Sequence, residues 1–206
     1  MKLYYAPGAC SIGIHVLLEE IGKPHELAKL NFQEGEQRKP EFLKINPKGK
    51  VPTLVRDDGS VLTEFPAVAW WLALNNPEKN LLPRDAEDQA RALEAMDHAV
   101  GTIHGQGFGR MLRPALFAPT EADHEQVKTR GREIFEGGLK LMDARLAGKE
   151  YLLGGFSIAD AALFYLEFWA AGRMQVPLPP NCAAHYGRMK ARPVVQRVLE
   201  QEGLTG

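Results

Sequence analysis

Cys10 lies in YYAPGACSIGIHVLLEE, residues 4–20, directly after a Pro-Gly turn and before an amphipathic run. A cysteine at a helix start meets unpaired N–H groups and the positive end of the helix dipole, and both favour a thiolate. Such cysteines have pKa values of about 3.5–7.5 in place of roughly 8.5. The alternative is a small buried hydrophobe, a frequent role of free cysteine. A dithiol cycle needs a second cysteine three residues on, and position 13 is Gly. Redox chemistry at Cys10 must therefore borrow a thiol from a small cofactor, and the site must hold a peptide-like ligand. INPKGKVPTLV, residues 45–55, offers a strand start at which a peptide can pair with the Val51 backbone if Val51-Pro52 is cis, the trans bond being the commoner form. TEFPAV, residues 63–68, offers a helix start with Pro66 at N1, whose free N–H groups suit a carboxylate. Glu64 beside it is either an acceptor for an amino group or a solvated helix-start acid.

The elements that must position these residues are legible as a βαβαββα order. KLYY predicts a strand, residues 11–21 a helix stopped by Gly22 and Pro24, ELAKLN a strand, and PEFLKIN a short helix ending before Pro47. VPTLV and VLT flank RDDGS as a hairpin, and FPAVAWWLALNN is an apolar helix. The fold class is α/β with a mixed sheet over residues 1–78. NNPEKNLLPRD lacks periodicity and places a linker at 79–86. From 87 to 206 only helical periodicity appears, as in AEDQARALEAMDHAVGTIH and DHEQVKTRGREIFEGGLKLMDARL. SIAD, residues 157–160, has the layout of a capping box before AALFYLEFWAA, with Phe156 placed as its staple.

Composition narrows the function. A formal net charge of −1 with interspersed signs gives no basic footprint for nucleic acid. The longest apolar run, FPAVAWWLAL, is half the roughly 20 residues of a membrane span, and MKLYYAPG is no signal peptide, so a cytoplasmic protein is expected. Two distant cysteines form no disulfide framework and lack the spacing of a zinc site, so no metal is expected. The glycines of HGQGFGR follow a helix, not a strand, which excludes a dinucleotide fingerprint; they loosen or bend the helix.

Taken in order, YYAPGACS, INPKGKVPTL, TEFPAVAWWLA and SIADA resemble a bacterial glutathione transferase of the beta class over essentially the whole chain, and GACS resembles its cysteine-type subgroup. The resemblance implies a thioredoxin-like N-terminal domain that binds glutathione, an all-α C-terminal domain forming most of a pocket for a small hydrophobic electrophile, and a homodimer. It implies that Cys10 faces the glutathione sulfur and can form a mixed disulfide with it. Val51, with a cis Pro52, pairs with the cysteinyl backbone, and Glu64 with the N–H of Phe65 holds the γ-glutamyl end. His104 falls near the glutathione thiol and Asp97 near a position that reaches the partner subunit's site. Tyr5 matches the tyrosine that other classes use to stabilise the thiolate; a core-facing strand tyrosine is the competing reading.

The chain departs from that pattern at Phe65, where a small residue is common, at Gly105, where Lys is common, and at QEGE, residues 33–36, where a lysine often sits. Gln37, Arg38 or Lys39 is left to meet the glycyl carboxylate, and weak glutathione binding is expected. Phe108, Phe117, Phe164, Tyr165 and Trp169 line a pocket or, at helical spacing, fill a core; Cys182 has no role assigned. The expected chemistry is attack of a glutathione thiolate on an electrophile, or Cys10-dependent thiol transfer or peroxide reduction resolved by a second glutathione. The alternative is a non-catalytic binding or regulatory protein on the same scaffold. A zeta-class isomerase lacks its serine-serine-cysteine signature here.

Overall fold

The computed structural model describes residues 1–205. The chain divides into two compact units, Met1–Leu82 with the segment from Arg188 onward, and Pro83–Gly187. In the first, β1 (Lys2–Tyr5), α1 (Ser11–Ile21), β2 (Glu26–Lys29), α2 (Pro40–Leu43), β3 (Thr53–Val55), β4 (Val61–Thr63) and α3 (Phe65–Leu74) follow the expected order. The sheet runs β2-β1-β3-β4, with β1 parallel to β2 and both β1–β3 and β3–β4 antiparallel, which is the thioredoxin-like mixed sheet. Strand alternation puts Leu3 and Tyr5 of β1 in the core. Helix α1 is buried over most of its surface, and Gly22 ends it in the left-handed conformation, its N–H reaching Leu18 O at 3.0 Å.

The last helices are α8 (Pro180–Ala191) and α9 (Pro193–Gln201), once α4 to α7 are counted. The sequence pattern assigns 87–206 to one helical domain, yet α9 packs on α1. Val195, Val198 and Leu199 bury its apolar face, and Glu202 just beyond it is only 4% exposed. Its carboxylate accepts from Gly8 N at 2.8 Å and sits 2.9 Å from His15 Nδ1. Helical periodicity shows that a helix forms; it does not show which core takes its apolar face.

The second unit holds α4 (Ala86–Asp97), a π-helical stretch His98–Phe108, α5 (Gly109–Leu112), α6 (His124–Leu146), α7 (Ile158–Phe168) and the first part of α8. Asp85 caps α4 by accepting from Glu87 N and Asp88 N. The capping box at Ser157 is formed: Ser157 Oγ accepts from Ala159 N, and Asp160 Oδ2 accepts from Ser157 N at 2.8 Å. Asp160 is fully buried, and its Oδ1 also accepts from Leu152 N at 2.8 Å. It lies 3.3 Å from His185 Nε2, while His185 Nδ1 donates to Glu167 Oε2 at 2.8 Å. The glycines expected to loosen or bend a helix lie where it is wound as a π-helix or just after it, and Gly107 also serves packing: a Cβ there would stand 2.9 Å from Phe135 N of α6. Asp143 of α6 caps α8 in turn, accepting from Asn181 N at 2.6 Å and Cys182 N at 3.0 Å.

Candidate active site

Cys10 occupies the N-cap position of α1 and is half-buried, with no side-chain cap bond. Its loop is held from two sides: Ser11 Oγ bridges Ala6 N and O, and Glu202 takes Gly8 N. The thiol donates to Val51 O at 3.4 Å, so two of the residues singled out by sequence are in direct contact. The Val51-Pro52 bond is cis. Val51 is buried in a cluster with Ala6, Leu30 and Phe42, against which Tyr4 and Ala9 pack. The loop before it is tied by Asn46, whose Nδ2 donates to Lys50 O and Thr53 Oγ1, both at 2.8 Å, and whose Oδ1 accepts from Lys48 N. Gly49 sits at φ +61, and a Cβ there would stand 2.8 Å from Gln37 O. Of Gln37, Arg38 and Lys39, Gln37 is thus the one brought against this loop; the other two are exposed, and Lys39 faces Glu36 at 3.6 Å.

In the unliganded protein the surroundings of Cys10 favour the protonated thiol, the second of the two readings of this residue. Burial pushes the Cys10 thiol up to about 12, against the pull of the backbone amides of Cys10 and Ser11, with the Glu64 charge adding and Lys50 opposing. The helix start acts as expected, but desolvation outweighs it. Alkylation of the free protein at Cys10 should therefore accelerate about tenfold per pH unit from neutrality to about pH 10. A plateau near pH 7, followed by mass spectrometry of the Cys10 peptide, would show that the amides dominate.

Glu64 is the N-cap of α3, so Pro66 stands at N2 and Phe65 at N1, one place from the expected register. Glu64 has φ +71, caps nothing with its side chain, and meets Lys48 Nζ at 2.6 Å; Lys48 also donates to Thr63 Oγ1 at 2.9 Å. Phe65 turns its ring into the core, leaving only its backbone at the helix start. Lys48 and Lys50, inside the INPKGKVP motif, are two further site residues whose role the sequence pattern does not signal, since no periodicity links Lys48 to Glu64. The Lys50 charge favours the ionised form of Cys10, and Lys48 pairs with Glu64. Tyr5 is a core residue, its ring 5.8 Å from His15.

His104 belongs to the second unit's π-helical stretch, half-buried among aromatic rings. Its Nδ1 shares a hydrogen bond with Tyr165 OH at 3.3 Å, and its ring meets Trp169 edge-on at 4.8 Å; Phe108 stacks on Trp169 at 4.1 Å. Phe164 and Tyr165 are core, whereas Phe117 is exposed beneath the Arg110 guanidinium. Asp97 ends α4 in solvent. Cys182 is buried, and desolvation raises its thiol. A cavity of about 450 Å³ lined by Lys2, Tyr4, Glu26, Arg56 and Val61 contains none of these site residues.

The glutathione S-transferase N-terminal domain matches residues 8–74 and the glutathione S-transferase C-terminal domain residues 125–188. The chain is 34% identical to "Glutathione S-transferase GstA" of Escherichia coli O157:H7, over 99% of this chain and 100% of that one. A glutathione transferase homologue from Sulfitobacter, solved with bound glutathione, superposes with a TM-score of 0.90 at 28% identity, covering 99% and 98% of the two chains. The beta-class glutathione S-transferase of Sphingomonas chungbukensis superposes with a TM-score of 0.83 at 32% identity, covering 100% of both. With both domains matched, a relative 34% identical over the whole chain and a beta-class structure superposing end to end, the chain belongs to the glutathione S-transferase family.

Proposed function

We propose that the protein is a glutathione transferase in which the protonated Cys10 thiol serves as a hydrogen-bond donor to the glutathione thiolate. The observation that carries this reading is the Cys10 thiol at the start of α1, donating to the Val51 carbonyl. A tripeptide laid along Val51 would bring its own amide to that carbonyl and release the thiol toward the sulfur. The sulfur then meets a thiol donor and the positive end of α1, which together favour its ionised form. Thiolate attack on a small apolar electrophile needs nothing more from this unit. Mixed-disulfide exchange through Cys10 is the second reading; it requires that binding lower the thiol's pKa from about 12.

Glu64 and Lys48 form a pair matched to the zwitterionic γ-glutamyl end: the ligand ammonium takes the carboxylate, and Lys48, displaced, takes the ligand carboxylate beside the Phe65 N–H. Calorimetric titration of reduced glutathione should give saturable binding to the wild type. Glu64→Ala should weaken it about 10- to 100-fold, since a hydrogen bond to a charged group contributes about 1.5–3 kcal/mol. Absence of heat with the wild type would favour the non-catalytic scaffold. Roles for His104 beside the thiol and Asp97 toward a partner's site, a homodimer, a cytoplasmic location and a detoxifying use complete the proposal and rest on the resemblance. Among the described residues no helix is long and apolar enough to cross a membrane.

A further inference from the structure

The strongest unexplained cluster lies at the far end of α1, outside the glutathione reading and independent of it. His15 and Glu19 stand four residues apart on one helical face. After Gly22 the chain doubles back and sets His25, the residue before β2, beside them. One ligand atom from each of the three lies within 4.8 Å of the other two.

The hydrogen bonds around the rings show what the cluster lacks. His25 Nδ1 is 3.0 Å from Lys23 O, an acceptor only, so Nδ1 carries the proton and Nε2 presents a lone pair when the ring is neutral. That lone pair faces Glu19 Oε1 at 3.7 Å, a pairing that either a second proton on His25 or a metal cation satisfies. His15 is fully buried, its Nδ1 is engaged by the Glu202 carboxylate at 2.9 Å, and its Nε2 is enclosed with no hydrogen-bond partner among the described residues. Both rings thus have Nδ1 tied to an oxygen acceptor and Nε2 left over, the arrangement that surrounding groups impose on metal-binding histidines. Glu19 is held in place by Arg197 Nε on Oε2 at 2.8 Å and Gln201 Nε2 on Oε1 at 3.2 Å. Arg197 is half-exposed, so Glu19 is reached from the solvent side.

We propose that His15, Glu19 and His25 bind one divalent transition-metal ion of the zinc class. Two imidazole nitrogens and one carboxylate suit zinc and its neighbours, while calcium and magnesium prefer all-oxygen sets. Bonds of about 2.0–2.1 Å to a tetrahedral ion place ligand atoms about 3.3–3.5 Å apart, so the three groups, now within 4.8 Å, need to close by at most about 1.5 Å, within reach of side-chain rotations. Water completes the fourth position. The ion would join α1 to the segment before β2, with Glu202 from beyond α9 orienting one ligand. It belongs to the scaffold of the first unit and takes no part in thiol chemistry.

The test uses the full-length chain freed of metal by chelation, without glutathione, and zinc ion alone as the titrant. The expected result is binding of one zinc per chain in the micromolar range or tighter, with a raised unfolding temperature. His25→Ala and Glu19→Gln, both at incompletely buried positions, should each weaken binding by at least about tenfold. Their metal-free unfolding curves report that they fold. Cobalt(II) in place of zinc should give visible bands of a four-coordinate nitrogen–oxygen site. No saturable binding at micromolar zinc, affinity unchanged in both variants, or a sulfur-to-cobalt charge-transfer band that disappears in Cys10→Ala would each overturn the site.

Discussion

Asp160→Ala is expected to lower the unfolding free energy by about 3–5 kcal/mol, the range for breaking a fully buried ion pair from one side. The loss reaches beyond the capping box. Leu152 N and Ser157 N lose their acceptor together, and His185 loses one of its two carboxylate neighbours while remaining enclosed. Ser157→Ala removes only the cap, about 1 kcal/mol. Urea unfolding of the two variants separates them, and equal midpoints would show that Asp160 does no more than cap α7. The pH dependence carries a sign. Burial opposes the His185 charge, but its hydrogen bonds to Asp160 and Glu167 and their charges raise it to about 9. Burial raises Glu167 to about 7, against the pull of His185. Both groups hold their protons more tightly when folded. The Glu167 contribution is therefore complete below about pH 4.5 and lost as the pH rises through about 7. That of His185 is complete below about 6.5 and lost through about 9. Stability of the wild type should fall from pH 5 to 9, and Asp160→Ala should flatten the upper part of that slope.

Cys10→Ala is expected to slow glutathione conjugation of an activated aryl halide about 10- to 100-fold near neutral pH. The figure follows from loss of one hydrogen bond to a charged sulfur, about 1.5–3 kcal/mol, expressed in the rate. Cys10→Ser keeps a donor at the same place and should recover most of the rate. The comparison discriminates between the two roles of the thiol: if Cys10 acts as the nucleophile, Ser and Ala are equally inactive in disulfide exchange. The pH–rate profile is the second readout, since loss of the donor should move its midpoint upward while leaving the plateau at high pH close to wild type. An unaltered profile in Cys10→Ala would sink the donor role.

The sequence carried the elements further than the site. Gly22, the RDDGS turn and SIAD each act over a few residues, so their reading needs only local rules, and each forms as expected. The features that escaped depend on distant partners. Cys10 is visibly at a helix start, but the burial that protonates it comes from the fold around it. Lys48 and Glu64 meet across sixteen positions through long side chains that no periodicity links. The π-helical winding of His98–Phe108 coincides with the close approach of Gly107 to Phe135, twenty-eight positions on. Glu202 reads as a tail acid and is instead a buried anchor for Gly8 and His15.

That anchor bears on how the protein is made. The contact from Glu202 to Gly8 spans 194 positions, nearly the whole chain. During synthesis the α/β segment leaves the ribosome first, yet α1 waits for α9, and the Cys10 loop waits for Glu202, until that later stretch has been made. Translation of the intervening helices thus separates the two ends of a single core, and a chain cut at the linker carries the sheet without the helix that covers α1.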